Sequence, residues 1–294
     1  MEDILDPPAP LTPRAAALTV IAMLAFAGNS LLCRLALGRN EIDPASFTSI
    51  RIGSGALILL LIFLLRRRRN TTPSRGGGWR PAVMLLGYAA LFSFAYRSLG
   101  AGTGALILFG AVQLTMFAAA LRAGARFPLI AWGGLGLAVA GLVCLVAPGV
   151  TAPDPRGAAW MALAGVCWGL YSLAGRGGTD PLGATTRNFL YAAPATLVIS
   201  LVAMREIELS MAGVLLALAS GALTSGCGYV IWYAALRNLS AAQAAIVQLT
   251  VPIFAAFGGV LFLSETPTLR LFLASALTLG GVAVALVRRA GKSV

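Results

Sequence analysis

The feature that most constrains this chain is a succession of apolar stretches, each about 20 residues long, separated by short breaks of arginine, proline or glycine. A helix needs about 20 mostly apolar residues to cross a hydrocarbon layer roughly 30 Å thick. Ten such windows can be marked: 15–37, 45–65, 81–98, 102–121, 129–147, 157–175, 184–204, 212–236, 241–263 and 268–287. They use most of the 294 residues and leave little chain for a domain outside the membrane. Composition points the same way. Only 11% of residues are charged, against about 25% in a soluble domain, so a water-facing surface cannot be assembled. A soluble enzyme, a disordered chain and a secreted disulfide scaffold are excluded. The expected fold is an all-α integral membrane protein with ten transmembrane helices.

There is no histidine, which removes the usual general acid/base, proton relay and metal ligand. The four cysteines, Cys33, Cys144, Cys167 and Cys227, each fall inside an apolar window without metal-ligand spacing. No metal, no cofactor and no enzymatic activity are expected.

The net charge of +12 would point to nucleic acid in a soluble protein. Here the basic residues sit between apolar runs, and their distribution gives an orientation instead. With the N-terminus on one side, that side collects fourteen of them, including Arg14, the run Arg66–Arg69, Arg122, Arg126, Arg176, Arg237 and Lys292. The other side collects six: Arg34, Arg39, Arg97, Arg156, Arg205 and Arg270. By the positive-inside rule both termini are expected in the cytoplasm. Residues 1–13 are acidic and Pro-rich and lack a positive n-region, so the first apolar window is read as an uncleaved helix. The expected organisation is a cytoplasmic tail (1–14), a first five-helix repeat (15–148), a second (157–288) and a cytoplasmic tail (289–294).

The repeats are visible in the residues. Phe26, Ser30, Leu31 and Arg34 match Trp168, Ser172, Leu173 and Arg176 at one constant offset. Asp43-Pro44 before the second window matches Asp180-Pro181 before the seventh. Gln113-Leu114-Thr115 recurs as Gln248-Leu249-Thr250, and Pro128 to Gly141 has the spacing of Pro267 to Gly280. An odd number of spans per repeat makes the second copy enter the membrane from the opposite side. Such inverted repeats recur in secondary transporters, with the binding site near the midplane between them.

The second half reads Tyr233-Ala-Ala-Leu236, Ser240-Ala241, Pro252, Glu265 and Gly280-Gly281-Val282. With Trp168-Gly169 and the duplication, this resembles the EamA-type repeat of the drug/metabolite transporter superfamily. Phe94-Ala95-Tyr96-Arg97-Ser98-Leu99, Gln113-Leu114-Thr115 and Cys167-Trp168-Gly169 are most similar to the YddG-type amino acid exporters of bacteria. The resemblance implies export of amino acids, aromatic ones among them, across the inner membrane by alternating access. The expected partners are a small-molecule substrate and the lipid bilayer, not nucleic acid, with a monomer as the unit. Export of cationic drugs or other metabolites is the alternative within the superfamily, and a membrane enzyme is a distant one. The chain departs from the pattern where Arg126 precedes Phe127-Pro128 at the place of Glu265, so a paired role for those two positions is not implied.

Polar and aromatic residues at helical spacing are candidates for a substrate path: Asn29 and Ser30 with Phe26, Tyr88, Phe92 and Tyr96, Phe109 and Gln113, Trp168 and Tyr171, Tyr229 with Trp232 and Tyr233, and Gln248. An unpaired amide in hydrocarbon is costly. Gln113 and Gln248 therefore face either a watery cavity or an interhelical partner. Trp79, Trp132, Trp160 and Trp232 lie near window ends and read as interfacial anchors. Arg51 and Arg187 lie inside windows. They either attract a carboxylate or snorkel and pair with Asp43 and Asp180, the latter being the expectation. Pro194, Pro252, Gly226 and Gly228 are candidate hinges, because proline deletes helix hydrogen bonds and glycine removes bulk. Gly133, Gly134, Gly136 and Gly141 are expected to pack a helix closely.

No acid or histidine falls in the middle of a window, and arginine does not give up its proton. Glu265 or Asp180 at a helix end is the remaining candidate for coupling. A pH gradient alone is therefore expected to drive no accumulation of substrate in proteoliposomes. Uptake against a concentration gradient under that condition alone would overturn the expectation.

Overall fold

The computed structural model describes residues 12–67, 77–175, 180–203, 207–239 and 241–287. Most of the N-terminal tail, Arg68, Arg69, Arg75, Arg176, Arg205 and the C-terminal tail lie outside them. In hydrocarbon no water serves the backbone, so each apolar run closes its hydrogen bonds internally as a helix. The helices are α1 (Pro13–Gly38), α2 (Pro44–Arg67), α3 (Trp79–Tyr96), α4 (Ala101–Arg122), α5 (Leu129–Val146), α6 (Pro155–Ala174) and α7 (Pro181–Val202). They continue as α8 (Met211–Leu236), α9 (Ala241–Gln248 and then Thr250–Leu263) and α10 (Leu269–Val287). Among the described residues there is no strand beyond an isolated bridge between Ile42 and Leu209.

Among the described residues eight helices are long and apolar enough to cross a membrane. The two that are not are α3, which starts on Trp79-Arg80-Pro81, and α7, which carries Thr185-Thr186-Arg187-Asn188. The outer surface is apolar: Leu57, Leu197, Phe257 and Phe272 are each more than half exposed. Water would penalise such a surface, and lipid does not. The chain is a multi-pass membrane protein.

The recurring Asp-Pro pairs start helices. Asp43 Oδ1 accepts from the amides of Ala45 (3.0 Å) and Ser46 (2.9 Å) at the head of α2. Asp180 Oδ1 accepts from Gly183 (2.9 Å) at the head of α7. The proline that follows loses nothing, because its missing N–H would be an orphan there.

The helices interlock across the repeats. From the first repeat, α1 packs on α8 and α9; from the second, α6 packs on α3 and α4. Helix α2 meets α7 and α8, α3 meets α7, and α5 pairs with α10. Exchanging α1–α5 for α6–α10 leaves this pattern unchanged, which is the mark of two equivalent repeats.

Backbone irregularities sit in the second repeat. Within α8, Ser220–Cys227 is a π-helix, flanked by α-helix on both sides. Helix α9 breaks at Leu249, because Pro252 has no N–H to give the Gln248 carbonyl. Pro194 lies inside α7. At Gly226 a Cβ would collide with the Ile58 side chain, and at Gly228 it would meet Ala25 at 3.3 Å, so both glycines let α8 lie close to its neighbours.

The loops on the face opposite the N-terminus are tied together. Arg34 Nε pairs with Glu265 Oε1 (3.3 Å), and Arg34 Nη1 donates to the carbonyls of Tyr96 and Arg97 (each 3.2 Å). Both Glu265 oxygens accept from the Ala101 amide at the head of α4 (3.0 and 2.9 Å). Ser210 donates to Glu41, Asp43 N to Glu208 O, and Arg270 to the Ala147 carbonyl. Ser98 donates to Asp154, whose carboxyl is held below the usual carboxylate range by the Gly157 amide and then by Ser98. Glu265→Gln removes the ion pair and is expected to loosen this face. A Leu35→Cys reporter beside it, in a background without the native cysteines, should then react faster with a membrane-impermeant thiol reagent. An unchanged rate would show the tie to be incidental.

The expectation that all four glycines of α5 pack closely is corrected in part. Gly134 and Gly141 lie against α10, whereas Gly133 and Gly136 have nothing within 4 Å. On α10, a Cβ at Gly281 would stand 2.5 Å from the Gly134 carbonyl oxygen and 2.5 Å from the Ala138 nitrogen, while Gly280 is open. Gly281→Ala is expected to lower the melting temperature in detergent through an overpacking cost of roughly 1–3 kcal/mol. Gly280→Ala is expected to be silent. Equal melting temperatures would reject the close α5–α10 contact.

Candidate functional site

The interlock of α1 and α6 places Phe26 and Trp168, corresponding residues of the two repeats, edge to face with centroids 6.0 Å apart. Around them lies a small cavity. Aromatic residues Phe26, Tyr88, Phe92, Phe109, Trp168 and Tyr229 form most of its wall, with Leu108. Asn29, Ser30, Arg51, Thr224 and Ser225 supply the polar part. Among the described residues no carboxylate lines it. Its volume of about 20 Å³ holds roughly one water. The rings fill the space, so a larger guest enters only if they move.

The rings are held by each other and by hydroxyls. Trp168 stacks on Tyr88 (5.7 Å), meets Phe109 edge-on (5.2 Å) and donates its Nε1–H to the Tyr229 hydroxyl (3.1 Å). Tyr88 also receives Asn29 Nδ2 (3.4 Å) and Arg51 Nη2 (3.0 Å). Asn29 Oδ1 accepts from Ser220 (2.7 Å) and Thr224 (3.3 Å). Ser220, Thr224 and Ser225 all belong to the π-helical segment of α8. Thr224 and Ser225, adjacent in sequence, both reach the cavity wall.

Of the residues singled out from sequence, Asn29, Ser30, Tyr88, Phe109 and Trp168 meet at this cavity. Tyr96 is fully buried and donates instead to the Ala101 carbonyl (3.2 Å). Tyr171 belongs to an adjoining polar cluster, in which its hydroxyl donates to Thr185 (3.4 Å) and receives Asn188 (3.5 Å). Gln113 and Gln248 are half-buried and do not line the cavity. Trp232, expected to anchor at the interface, is 6% exposed and packs on Phe26. Trp79, Trp132 and Trp160 are exposed.

Arg51 departs from expectation most. It neither snorkels nor pairs with Asp43, whose oxygens are taken by backbone amides, Glu208 included. It is 3% exposed, its Nε donates to Ser225 (3.3 Å), and Nη1 has no hydrogen-bond partner among the described residues. At the offset that carries Asp43-Pro44 onto Asp180-Pro181, Arg51 falls on Asn188. Asn188 is buried too, but its amide is used on both sides, by the Gly78 N–H (3.0 Å) and by Tyr171. Arg187 is half-buried and does not line the cavity.

Thr224 and Ser225 line the cavity without having been singled out. A Gly- and Ser-rich stretch was the only trace of the π-helix in the sequence.

Comparison with known proteins agrees with this architecture. The uncharacterized protein PA1977 of Pseudomonas aeruginosa is 51% identical over 280 residues, covering 95% of this chain and 97% of its own length. A protein of known crystal structure, 20% identical, matches with a TM-score of 0.65 over 92% of this chain and 98% of its own, a likeness of fold alone. The EamA-like transporter family matches residues 13–147 and again residues 155–287. Those two matches fall one on each set of five interlocked helices, and the chain belongs to the EamA-like transporter family.

Proposed function

We propose that this protein exports amino acids, aromatic and other neutral ones above all, across the bacterial inner membrane by alternating access. The observation that carries the reading is the place and lining of the cavity. It lies where Phe26 of α1 meets Trp168 of α6, and it offers rings, hydroxyls, one amide and the Arg51 guanidinium, with no carboxylate among the described residues that line it. Rings accept an aromatic side chain by stacking or edge-on contact. Hydroxyl, amide and guanidinium groups between them contact both ends of a zwitterion. The direction of transport and the inner-membrane location come from the resemblance to YddG-type exporters and from the arginine bias. On that orientation the tied face is the outer one. The ties at Glu265, Glu41 and Asp154 then close the path outward, and the protein reopens by breaking them.

Pro194, Gly226, Gly228 and Pro252 are proposed as the places where helices bend in that cycle. Tyr96, Tyr171, Gln113 and Gln248 are proposed to act from around the cavity rather than on its wall. The carrier works as a facilitator, as a monomer in the bilayer, with the amino acid as its partner. Export of cationic drugs is the second reading, and the absence of any acid on the cavity wall speaks against it.

Counterflow in proteoliposomes with a panel of labelled amino acids tests the reading. Aromatic and other neutral amino acids are expected to exchange. Trp168→Ala should raise the half-saturating concentration roughly tenfold, the scale of one lost aromatic contact. Gln113→Ala should change it by less than about twofold, the effect of a residue without direct contact. No exchange of any amino acid would sink the substrate assignment. Equal effects of the two substitutions would sink the location.

A further inference from the structure

Arg51 is a positive charge about two turns into α2, walled in by neutral groups. Two of its nitrogens reach hydroxyls, Ser225 and Tyr88, and its third, Nη1, reaches nothing. Beneath the guanidinium lie the rings of Tyr88 and Phe92, at 5.2 and 4.9 Å. Ring faces attract a cation but do not neutralise it. A buried charge without a counter-ion is unfavourable, and an ionisable group inside a membrane protein marks a functional site by default. The corresponding Asn188 has all this settled with neutral partners. The charge is therefore not demanded by the repeat architecture.

We propose that the Arg51 guanidinium is a carboxylate receptor and that every molecule taken by this cavity is a small carboxylate, its anion on the unbonded Nη1 and its body against Phe26 and Trp168. The guanidinium fork matches a carboxylate in shape and charge. Nothing on the wall matches an ammonium equally well, because no acid is present. The carboxylate is thus the anchor, and the amino group of an amino acid is dispensable. An inorganic anion would satisfy the charge and leave the aromatic half of the cavity unused. The charge also bears on the cycle. Arginine stays protonated, so the empty carrier has a bare charge in its core and the loaded carrier does not. Exchange of one carboxylate for another then outpaces net movement in one direction.

The proposal rests on the transport reading for movement but not for binding, so binding and transport are measured separately on the full chain. Thermal unfolding in detergent uses 3-phenylpropionate, phenylalanine, 2-phenylethylamine and sodium chloride at equal concentration. The first two are expected to raise the melting temperature and the last two to leave it unchanged. Arg51→Met should melt no lower than the wild type and lose the stabilisation. In proteoliposomes Arg51→Gln should raise the half-saturating concentration for phenylalanine by ~10- to 100-fold. Arg51→Lys should fall between the two, and the excess of exchange over net efflux should shrink in Arg51→Gln.

Stabilisation by 2-phenylethylamine as strong as by 3-phenylpropionate overturns the proposal. So does an unchanged response to carboxylates in Arg51→Met, or chloride matching the carboxylates. If Arg51→Met fails to fold while Arg51→Gln keeps wild-type affinity, the charge is structural and the proposal is wrong. Carboxylate binding that depends on Arg51 without any transport upholds it and removes the amino acid export reading. Amino acid transport indifferent to Arg51 does the reverse.

Discussion

Lipid tails are as apolar as leucine, so the hydrophobic effect that assembles a soluble domain does nothing to draw these helices together. Close backbone approach and hydrogen bonds are left to do it. At the α5–α10 contact Gly134 and Gly281 bring backbones close enough that a methyl group has no room. Helices α1 and α6 each insert into the other repeat, and that mutual insertion brings Phe26 and Trp168 together. The cavity is a product of the same packing.

The scaffold is symmetric, but its chemistry is not. Tyr88 of α3 and Tyr229 of α8 both hold Trp168, one by stacking and one by a hydrogen bond. Charge breaks the symmetry twice. Arg51 stands where the second repeat has Asn188. Glu265 fastens one face through Arg34 and the Ala101 amide, while its counterpart Arg126 is exposed. A symmetric machine would have two equivalent end states. These substitutions make the two faces chemically different.

Much of the fold was legible because lipid imposes a coarse rule. Apolar runs of sufficient length must be helices, and their boundaries at Asp43-Pro44, Asp154-Pro155 and Asp180-Pro181 follow from capping chemistry. The site was legible only where helix spacing and burial agreed, as for Asn29, Ser30, Tyr88 and Trp168. Gln113 and Gln248 recur at corresponding positions, but recurrence says nothing about which face of a helix a residue occupies. Thr224 and Ser225 were hidden because a π-helix shifts the face of every residue after it, and a 3.6-residue period cannot register that.

The amino-acid sequence by itself determined the helical class, the two repeats and the absence of an acid or histidine from the middle of an apolar run. Each follows from composition, run length or a constant offset, quantities that do not depend on which helices touch. Only the tertiary structure decided which polar groups are satisfied. Asp43 is adjacent enough in sequence to serve Arg51, yet its oxygens go to the amides that begin α2 and to Glu208 N. Arg51 is left inside a cage of rings contributed by α3, with one nitrogen bound to nothing. Whether a charge is paired depends on what lies within a few ångströms of it, and in a bundle those neighbours come from helices far apart in the chain.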